Sequence, residues 1–300
     1  MSLFDLSQVP TQSGRVAIVT GANTGLGYQT ALALARLGCR VVLACRNEAK
    51  AIRAKERLQV EVETPEVTFL PLDLSSLESV RAFAQAYEKQ FDRLDLLVNN
   101  AGVMALPQRQ ETADGFEMQL GTNHLGHFLL TGLLLPLLKN TPESRVVTLS
   151  SSAHKFGKIH FDDLQLAKDY GEWKAYGQSK VANLLFAQEL ARRLEDSGIN
   201  ALSVGAHPGF ASTDLQRHLP SWLHGLTRWV SQDAKNGALP SLYAVLGNDI
   251  ENGDYCGPSG FQEIKGPATK VSPNDYARDL EVAKRLWTIS EDLVDYRYEF

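Results

Sequence analysis

Cysteine is scarce and scattered in this sequence. The chain of 300 residues contains three cysteines, Cys39, Cys45 and Cys256, which lie far apart or inside apolar runs. This distribution excludes a disulfide framework and a CxxC metal motif. Isolated thiols are typical of proteins from a reducing compartment. We therefore expect a cytoplasmic protein without a bound metal.

A long uninterrupted apolar run is missing as well. The most apolar stretch, HFLLTGLLLPLL at residues 127–138, is broken by Gly132 and Pro136, whereas a membrane-spanning helix needs about 20 apolar residues. The first fifteen residues lack the basic region and apolar core of a secretory signal. The sequence therefore predicts no membrane anchor.

The chain also lacks an excess of positive charge. Thirty Lys and Arg residues against 35 Asp and Glu give a formal net charge of -5, which offers no basic surface for nucleic acid or an anionic membrane. Hydrophobic residues make up 44% of the chain, as in a globular protein with a sizeable core. A small molecule is the partner that this composition favours.

Apolar segments of strand length alternate with segments of helical period through the first two thirds of the chain. The strand-like segments are rich in Val, Ile and Leu on both faces, as in a parallel sheet covered by helices on both sides. They lie at residues 15–20, 40–45, 67–72, 94–99, 145–150 and 200–205. Helical patterns lie at residues 25–37, 48–62, 77–91, 115–139 and 173–194, with short helices in 210–236, a last strand in 257–263 and a last helix at 275–293. The alternation predicts one α/β domain over residues 1–300, a doubly wound parallel sheet of the Rossmann type in three α/β/α layers.

A glycine-rich loop, TGANTGLG at residues 20–27, joins the first predicted strand to the first helix. Its three glycines let the backbone approach a pyrophosphate, whose charge then meets the positive end of the helix. A tight turn without a ligand is the alternative, but the position after the first strand of an alternating pattern favours a dinucleotide. The loop residues assigned to the cofactor are Gly21, Asn23, Thr24, Gly25, Leu26 and Gly27.

The second predicted strand is followed by Arg46, where an NAD-binding chain would carry Asp or Glu. A guanidinium can hold a 2′-phosphate with two parallel hydrogen bonds. A solvated surface arginine is the alternative interpretation. The position favours NADP(H) over NAD(H).

Tyr176 and Lys180 stand four residues apart in the helical segment 173–194, so they share one helix face. Such a spacing is most often an ordinary surface pair. Reduction of a carbonyl by hydride, however, requires a proton donor beside the developing alkoxide. A tyrosine has an ordinary pKa of about 10, and a neighbouring cation lowers it. We expect Lys180 to lower the pKa of Tyr176 in this way.

Further short motifs follow the glycine loop in a fixed order. They are NNAG at residues 99–102, NHLGHF at 123–128, SSS at 150–152, YGQSK at 176–180 and HPG at 207–209. In this set and spacing, from Thr20 to about Asp214, the chain resembles the short-chain dehydrogenase/reductase family. The interval from Ser151 to Tyr176 is longer than in compact members and is similar to that of the branch with retinol dehydrogenases, protochlorophyllide oxidoreductases and WW-domain oxidoreductases. The N-terminal anchor of animal retinol dehydrogenases is absent from the sequence, so we expect a soluble, bacterial relative.

The resemblance implies a catalytic role for each matching side chain. Tyr176 would donate the proton, Ser151 would polarise the substrate carbonyl, and Lys180 would tune Tyr176 and bind the nicotinamide ribose. Ser150 and Ser152 remain alternatives to Ser151, and strand-ending or turn-capping serines are the structural interpretation.

Asn123 is unfavourable within a helix unless its side chain has a task. The resemblance implies that it holds a water that links the lysine to solvent, and a buried structural amide is the alternative. His124 and His127 are expected to pack rather than to bind a metal, because no carboxylate or third histidine completes a site.

The resemblance also extends the set of cofactor contacts. Asp73 matches the residue that contacts adenine, with a helix cap or turn as the alternative, and Asn99 would stabilise the sheet centre near the adenosine ribose. The remaining contacts assigned to the cofactor are Leu74, Ala101, Gly102, Tyr176, Lys180, Pro208, Gly209 and Thr213.

Residues 210–230 carry Trp and Leu among polar residues directly after the HPG motif. A core helix is the ordinary interpretation of such an amphipathic stripe, but this position favours a lid at about 210–235 over an apolar substrate. The residues expected in the pocket are Met104, Phe156, Phe210, Trp222 and Leu226.

Together these features predict an NADPH-dependent oxidoreductase that transfers a hydride between the nicotinamide and the carbonyl or alcohol of a bulky apolar substrate, such as a retinal-like aldehyde. A non-catalytic NADP(H) sensor or scaffold is an alternative, which the retention of Asn, Ser, Tyr and Lys disfavours. Light-dependent reduction of a tetrapyrrole double bond is another, disfavoured because the cysteine of those enzymes is absent near YGQSK. A monomer and a homodimer both remain open.

Overall fold

The computed structural model describes residues 4–209 and 233–300. Within these ranges eight strands form one sheet in the order β3-β2-β1-β4-β5-β6-β7-β8, parallel except for the last pair. The strands are β1 (Val16–Thr20), β2 (Arg40–Cys45), β3 (Val67–Pro71), β4 (Leu96–Asn99), β5 (Ser144–Leu149), β6 (Ala201–Ala206), β7 (Tyr255–Pro258) and β8 (Ala268–Lys270). The strand order reverses direction between β1 and β4, which creates a crevice at the carboxyl ends of these two strands.

Helices cover both faces of the sheet. They are α1 (Gly25–Arg36), α2 (Glu48–Glu61), α3 (Leu77–Glu88), α4 (Met118–Leu120), α5 (Gly126–Asn140), α6 (Glu172–Asp196), α7 (Ala234–Gly237), α8 (Leu239–Leu246) and α9 (Leu280–Val294). One apolar core joins the sheet to α3, α5, α6 and α9, and a second joins it to α1, α2 and α8. The predicted three-layer, doubly wound α/β fold is therefore confirmed.

The helical segment predicted for residues 115–139 is not uniform. A π-helical turn at Gly121–Leu125 separates α4 from α5, and such turns occur frequently at functional sites. Its side chains could not be assigned to one helical face from a period of 3.6 residues, because the π turn holds one extra residue.

The C-terminal part of the sheet also departs from the prediction. The last parallel strand ends at Pro258, and Phe261–Glu263 forms a 3-10 turn instead of continuing the strand. The antiparallel strand β8 was not predicted, because three residues are too few to show an alternating pattern.

Part of the predicted substrate side lies outside the described residues, including most of the lid at 210–235 and its residues Phe210, Thr213, Trp222 and Leu226. The single-domain organisation stays a prediction. In the described part of the chain, no helix is both long and apolar enough to cross a membrane.

Candidate active site

The glycine loop brings the backbone of β1 close to the start of α1. Gly21 and Gly25 adopt φ angles of 66° and 57°, a region that favours glycine. At Gly27 an added Cβ would lie 2.5 Å from Asn100 Nδ2 and 2.6 Å from the carbonyl oxygen of Gly21. A side chain therefore cannot be placed here, and the first turn of α1 is left open to the crevice with its N–H groups available to an anion.

A cleft of about 660 Å³ opens at this loop and runs from the end of β2 to the end of β4. It brings together most of the residues assigned to the cofactor: Gly21, Asn23, Thr24, Gly25, Leu26, Gly27, Arg46, Asp73, Leu74, Ala101 and Gly102. Met104, expected in the substrate pocket, also lines it. Asn99, Pro208, Gly209 and the catalytic side chains are not part of its lining.

Two cations stand at the β2 end of the cleft. The Arg46 side chain is 67% exposed, with Nη1 3.8 Å from Asp73 Oδ1. Lys50, which sequence reasoning missed, lines the same wall and lies in the first turn of α2, which Asn47 caps by accepting from the Lys50 N–H. The signal that was available is the spacing of Arg46 and Lys50 on either side of a helix start.

Asp73 lines the cleft from a tight turn. Its Oδ1 accepts from Ser75 N at 3.0 Å and from Ser75 Oγ at 2.6 Å. The cap of α3 is Ser76, whose side chain accepts from Ser79 N. Asp73 therefore belongs to a turn and does not cap α3. The residue is partly exposed and lines the cleft, and its contact with adenine stays a prediction.

Asn99 lies behind the cleft rather than in it. It is fully buried and its Nδ2 donates to Thr131 Oγ1 at 3.0 Å, so it supports the packing of α5 on the sheet. The neighbouring Asn100 lines the cleft and donates from Nδ2 to the carbonyl oxygen of Thr20 at 2.7 Å. This placement agrees with the expectation that Asn99 stabilises the sheet centre, and its assignment to the cofactor stays a prediction. Asn100 is the residue of the pair that borders the cleft, because consecutive side chains at a strand end point in opposite directions.

Asn123 sits in the π-helical turn and connects the loop after β4 to α6. Its Oδ1 accepts from Val103 N at 2.8 Å, and its Nδ2 donates to the Val103 carbonyl and to Ser179 Oγ, both at 2.9 Å. Ser179 Oγ in turn donates to the Tyr176 carbonyl at 2.9 Å. Both polar atoms of the Asn123 amide therefore hold the backbone around the site, which agrees with the structural alternative for this residue. Its part in a proton relay stays a prediction.

The three serines after β5 have different surroundings. Ser150 is buried and donates to the Lys180 carbonyl at 2.7 Å, and Ser152 begins a 3-10 helix that Ser151 caps. Ser151 is the serine whose side chain interacts with that of Tyr176 and lowers the pKa of its phenol. Of the three, Ser151 is the hydroxyl that the fold places against the tyrosine.

Tyr176 and Lys180 face the interior rather than a solvated helix surface. Lys180 Nζ lies 5.8 Å from the centre of the Tyr176 ring and donates to the Leu149 carbonyl at 3.3 Å. Burial raises the pKa of Tyr176, an effect that the Ser151 hydrogen bond opposes, and burial lowers the pKa of Lys180 to about 8. The net shift of the Tyr176 pKa is thus upward, with burial as its largest cause, and Lys180 is not among the groups that shift it in this structure. A lowering of the Tyr176 pKa by Lys180 stays a prediction.

These pKa shifts predict the pH dependence of the reaction. In the free protein Lys180 is charged below about pH 8 and neutral above it, whereas Tyr176 stays a neutral phenol through this range. We expect kcat/KM for the reduced dinucleotide, which reports on the free protein, to be level near pH 7 and to fall above about pH 8. The same profile for Lys180→Met should show no step there, and a step that survives in the variant would assign it to another group.

His124 and His127 are packing and hydrogen-bonding residues in this structure. His124 Nε2 lies 2.9 Å from Ser290 Oγ, and His127 Nε2 lies 2.9 Å from Thr20 Oγ1. Burial lowers the pKa of these imidazoles to about 3 and about 4, so both are neutral near pH 7. Among the described residues no group of His, Cys, Asp and Glu could hold a metal ion.

The loop with Pro208 and Gly209 follows β6 and packs against the segment after β7. Gly209 has a φ of 67°, and an added Cβ there would lie 2.4 Å from the Ile264 carbonyl oxygen. This turn is not part of the cleft lining, and Thr213, assigned to the cofactor with it, is outside the described residues.

Known proteins share this sequence and fold. A sequence model of the family described as short chain dehydrogenase matches residues 15–224. Retinol dehydrogenase 12 of Homo sapiens is 45% identical to the chain over 291 residues, which cover 95% of this chain and 88% of that protein. The crystal structure of an uncharacterized protein from Mycobacterium Paratuberculosis superposes with a TM-score of 0.83 at 37% identity, with 100% of both chains covered.

Two further solved structures contain nicotinamide cofactors. The RhlG/NADP active-site complex of Pseudomonas aeruginosa has a TM-score of 0.66 at 26% identity, covering 82% of this chain and 94% of that one. The 3-ketoacyl-(acyl-carrier-protein) reductase of Brucella melitensis, complexed with NADH, has a TM-score of 0.65 at 22% identity, covering 82% and 96%. At 22% identity the reductase supports a common fold and nothing more. Because one complex contains NADP and the other NADH, they do not indicate which dinucleotide this chain binds.

Proposed function

The chain belongs to the short chain dehydrogenase family, and from this membership we propose that it is an NADP(H)-dependent oxidoreductase acting on the carbonyl or alcohol of a bulky apolar substrate. The observation that carries the proposal is the placement of Ser151 and Lys180 around the buried Tyr176, close to the cleft: a Cβ added at Gly102, which lines the cleft, would lie 3.5 Å from Lys180 Nζ. The coarser statement, a nicotinamide-dependent oxidoreductase, follows from the family. The choice of NADP(H), the substrate and the residue roles are the proposal.

The cleft suits a dinucleotide with a 2′-phosphate. The helix start behind Gly27 provides N–H groups for a pyrophosphate, and an added Cβ at Gly21 would be 3.0 Å from Ala101 Cβ, so the loop lies close against the end of β4. Arg46 and Lys50 provide two positive charges at the far end of the cleft, where an NAD-specific chain would carry an acid. A bound nicotinamide would supply or accept the hydride.

The side chains around Tyr176 supply the acid-base part of the reaction. Tyr176 is a neutral phenol near pH 7, since burial raises its pKa, and it therefore donates a proton to the substrate oxygen in the reductive direction. Ser151, held beside it, donates a hydrogen bond to the same oxygen and stabilises the charge that develops there. Lys180 is charged at neutral pH and electrostatically favours the phenolate left after proton transfer.

Exposed aromatic side chains beside Tyr176 support a bulky apolar substrate. The Phe156 side chain is 60% exposed and its ring lies over Gly177, where an added Cβ would be 2.8 Å from Phe156 Cε2. Trp173 is 42% exposed and packs edge-on against the Tyr176 ring at 6.1 Å. Apolar surface next to a catalytic group is typical of a ligand site.

All three cysteines are buried and free. Burial raises the pKa of the Cys45 thiol to about 11, although this residue lines the cleft. A cytoplasmic location stays part of the proposal on the strength of these unpaired thiols.

The proposed function is tested by the oxidation of NADPH with a graded series of aldehydes from acetaldehyde to decanal and retinal. We expect kcat/KM to rise with the apolar area of the substrate, by about tenfold for every two buried methylene groups at most. NADPH binding without turnover of any member would instead indicate a non-catalytic nucleotide sensor. Equal rates for the shortest and longest aldehydes would contradict the apolar substrate.

A further inference from the structure

Three loops that leave the carboxyl ends of β5, β6 and β7 meet at one carboxylate. Glu263 Oε2 lies 3.0 Å from His207 Nε2 and 3.1 Å from Lys155 Nζ. Lys155 belongs to the segment that begins with Ser151, and His207 begins the turn that contains Pro208 and Gly209. Glu263 therefore connects the strand end that carries the catalytic serine with the turn assigned to the nicotinamide.

His207 is held rigidly in this contact. It is fully buried, its ring lies tilted over Tyr255 at 5.2 Å, and its Nδ1 accepts from the Gly209 N–H at 3.3 Å. An added Cβ at Gly257 would be 2.1 Å from His207 Nε2, so only glycine leaves space for the ring. With Nδ1 as acceptor, the imidazole carries its proton on Nε2, the atom that faces Glu263. Nε2 and the carboxylate are close but lack the geometry of a hydrogen bond, so their contact is electrostatic.

The charge of Glu263 is maintained by these neighbours. Contact with His207, and then with Lys155, lowers the pKa of Glu263 to about 2 against the opposing effect of burial. The carboxylate is thus ionised at any pH near neutrality. Removal of a half-buried carboxylate that faces two such groups is costly chiefly for the buried His207, which is then left without its partner.

The backbone that presents Glu263 is strained. Gln262 and Glu263 have φ angles of 51° and 59°, the left-handed region that non-glycine residues rarely occupy. Two consecutive residues of this kind persist only where surrounding contacts fix them, at a cost of about 1–3 kcal/mol each. The contacts at this turn include those of the Glu263 side chain and the hydrogen bond from the Glu263 N–H to the Gly260 carbonyl at 2.8 Å.

The cluster reaches the catalytic serine by a second route. His154 Nδ1 donates to the Ser151 carbonyl at 2.7 Å and lies 3.3 Å from Tyr255 OH, and the Tyr255 ring contacts His207. Asn274 Nδ2 donates to the Lys155 carbonyl at 3.3 Å. Ser151, the turn with Gly209 and Glu263 therefore form one packed unit.

We propose that Glu263 is a positioning residue, whose carboxylate fixes the turn with Pro208 and Gly209 against the segment that begins with Ser151. It acts on the nicotinamide end of the site and leaves the phosphate loop and the Arg46 end untouched. The inference rests on the proposed function, which places Pro208 and Gly209 at the nicotinamide.

The test compares two ligands that share one half of the cofactor. We expect Glu263→Ala to raise the Kd of NADPH by about tenfold, because the turn at the nicotinamide is no longer fixed, and to leave the Kd of 2′,5′-ADP within about twofold. Tryptophan fluorescence or calorimetry measures both constants without turnover. For Glu263→Gln, which keeps the shape of the side chain, the Kd of NADPH should lie between that of the unaltered protein and that of Glu263→Ala. Glu281→Ala, which removes an exposed carboxylate that pairs with Lys284 on α9, should change neither constant.

A second variant covers the case in which Glu263→Ala does not fold. Lys155→Met removes the more exposed partner of the carboxylate and should raise the Kd of NADPH by about threefold without affecting 2′,5′-ADP. If the folded variants bound NADPH and 2′,5′-ADP more weakly by the same factor, or kept the Kd of NADPH unchanged, the positioning role of Glu263 would be wrong. The proposed function would not be affected by that result. An unaltered protein that bound neither ligand, nor NADH, would overturn the proposed function and this role together.

Discussion

Tyr176→Phe should reduce the kcat of carbonyl reduction by about a hundredfold to ten-thousandfold, the usual contribution of a positioned acid. The substitution removes the phenolic hydroxyl of a buried side chain that interacts with Ser151. The centre of its ring lies 5.8 Å from Lys180 Nζ. It leaves the ring in its contact with Trp173. The Kd of NADPH should therefore change little. Steady-state kinetics with decanal and direct binding of NADPH separate the two effects.

The matched control removes a tyrosine hydroxyl from another part of the core. Tyr87 is fully buried on α3, donates to the Arg93 carbonyl at 2.8 Å and is not part of the cleft lining. Tyr87→Phe should lower the free energy of unfolding by about 1 kcal/mol and leave kcat unchanged. A Tyr176→Phe protein with the kcat of the unaltered chain would rule out Tyr176 as the proton donor.

The first six strands could be predicted because each of them is a continuous apolar run. The glycine loop could be placed for the same reason, since it directly follows β1 and its glycines mark positions where φ is positive or a Cβ has no space. Spacing also placed Tyr176 and Lys180 on one helix face. These are local properties, which the sequence displays within a few residues.

The electrostatics of the site could not be predicted in this way. Four-residue spacing indicates proximity, but the pKa of Tyr176 depends on how deeply the helix is buried, and desolvation is a property of the whole fold. Glu263 was missed for a related reason. It lies far along the chain from Ser151 and Gly209, and its contact with His207 exists only because β5, β6 and β7 are neighbours in the sheet.

Lys50 shows the limit of motif reasoning within one segment. Arg46 was recognised because the residue at the end of the second strand distinguishes the two dinucleotides. The helix start at residue 48 was predicted, but Lys50 could be assigned only from the fold, which shows which side chains of the first turn border the cleft. The two cations together define the expected phosphate site.

Arg46→Asp should change the dinucleotide preference of the protein. Loss of the guanidinium removes a charge-assisted hydrogen bond of about 1.5–3 kcal/mol, or roughly tenfold to a hundredfold in kcat/KM for NADPH. The new carboxylate also stands near Asp73, at a site where a carboxylate can accept from a ribose 2′-OH. The kcat/KM for NADH should rise, so the ratio of kcat/KM for NADPH to that for NADH should fall by a larger factor than either value changes.

Two further variants separate this effect from a general change of charge. Lys50→Ala should lower kcat/KM for NADPH by several fold and leave NADH unaffected, because Lys50 borders the same end of the cleft. Arg53→Ala removes an exposed arginine of α2 that does not line the cleft, and both dinucleotides should be used as before. Increasing ionic strength should weaken NADPH binding more than NADH binding in the unaltered protein, since an exposed ion pair is screened. If Arg46→Asp and Arg53→Ala had the same effect, Arg46 would be a solvated surface arginine and the preference for NADP(H) would lose its basis.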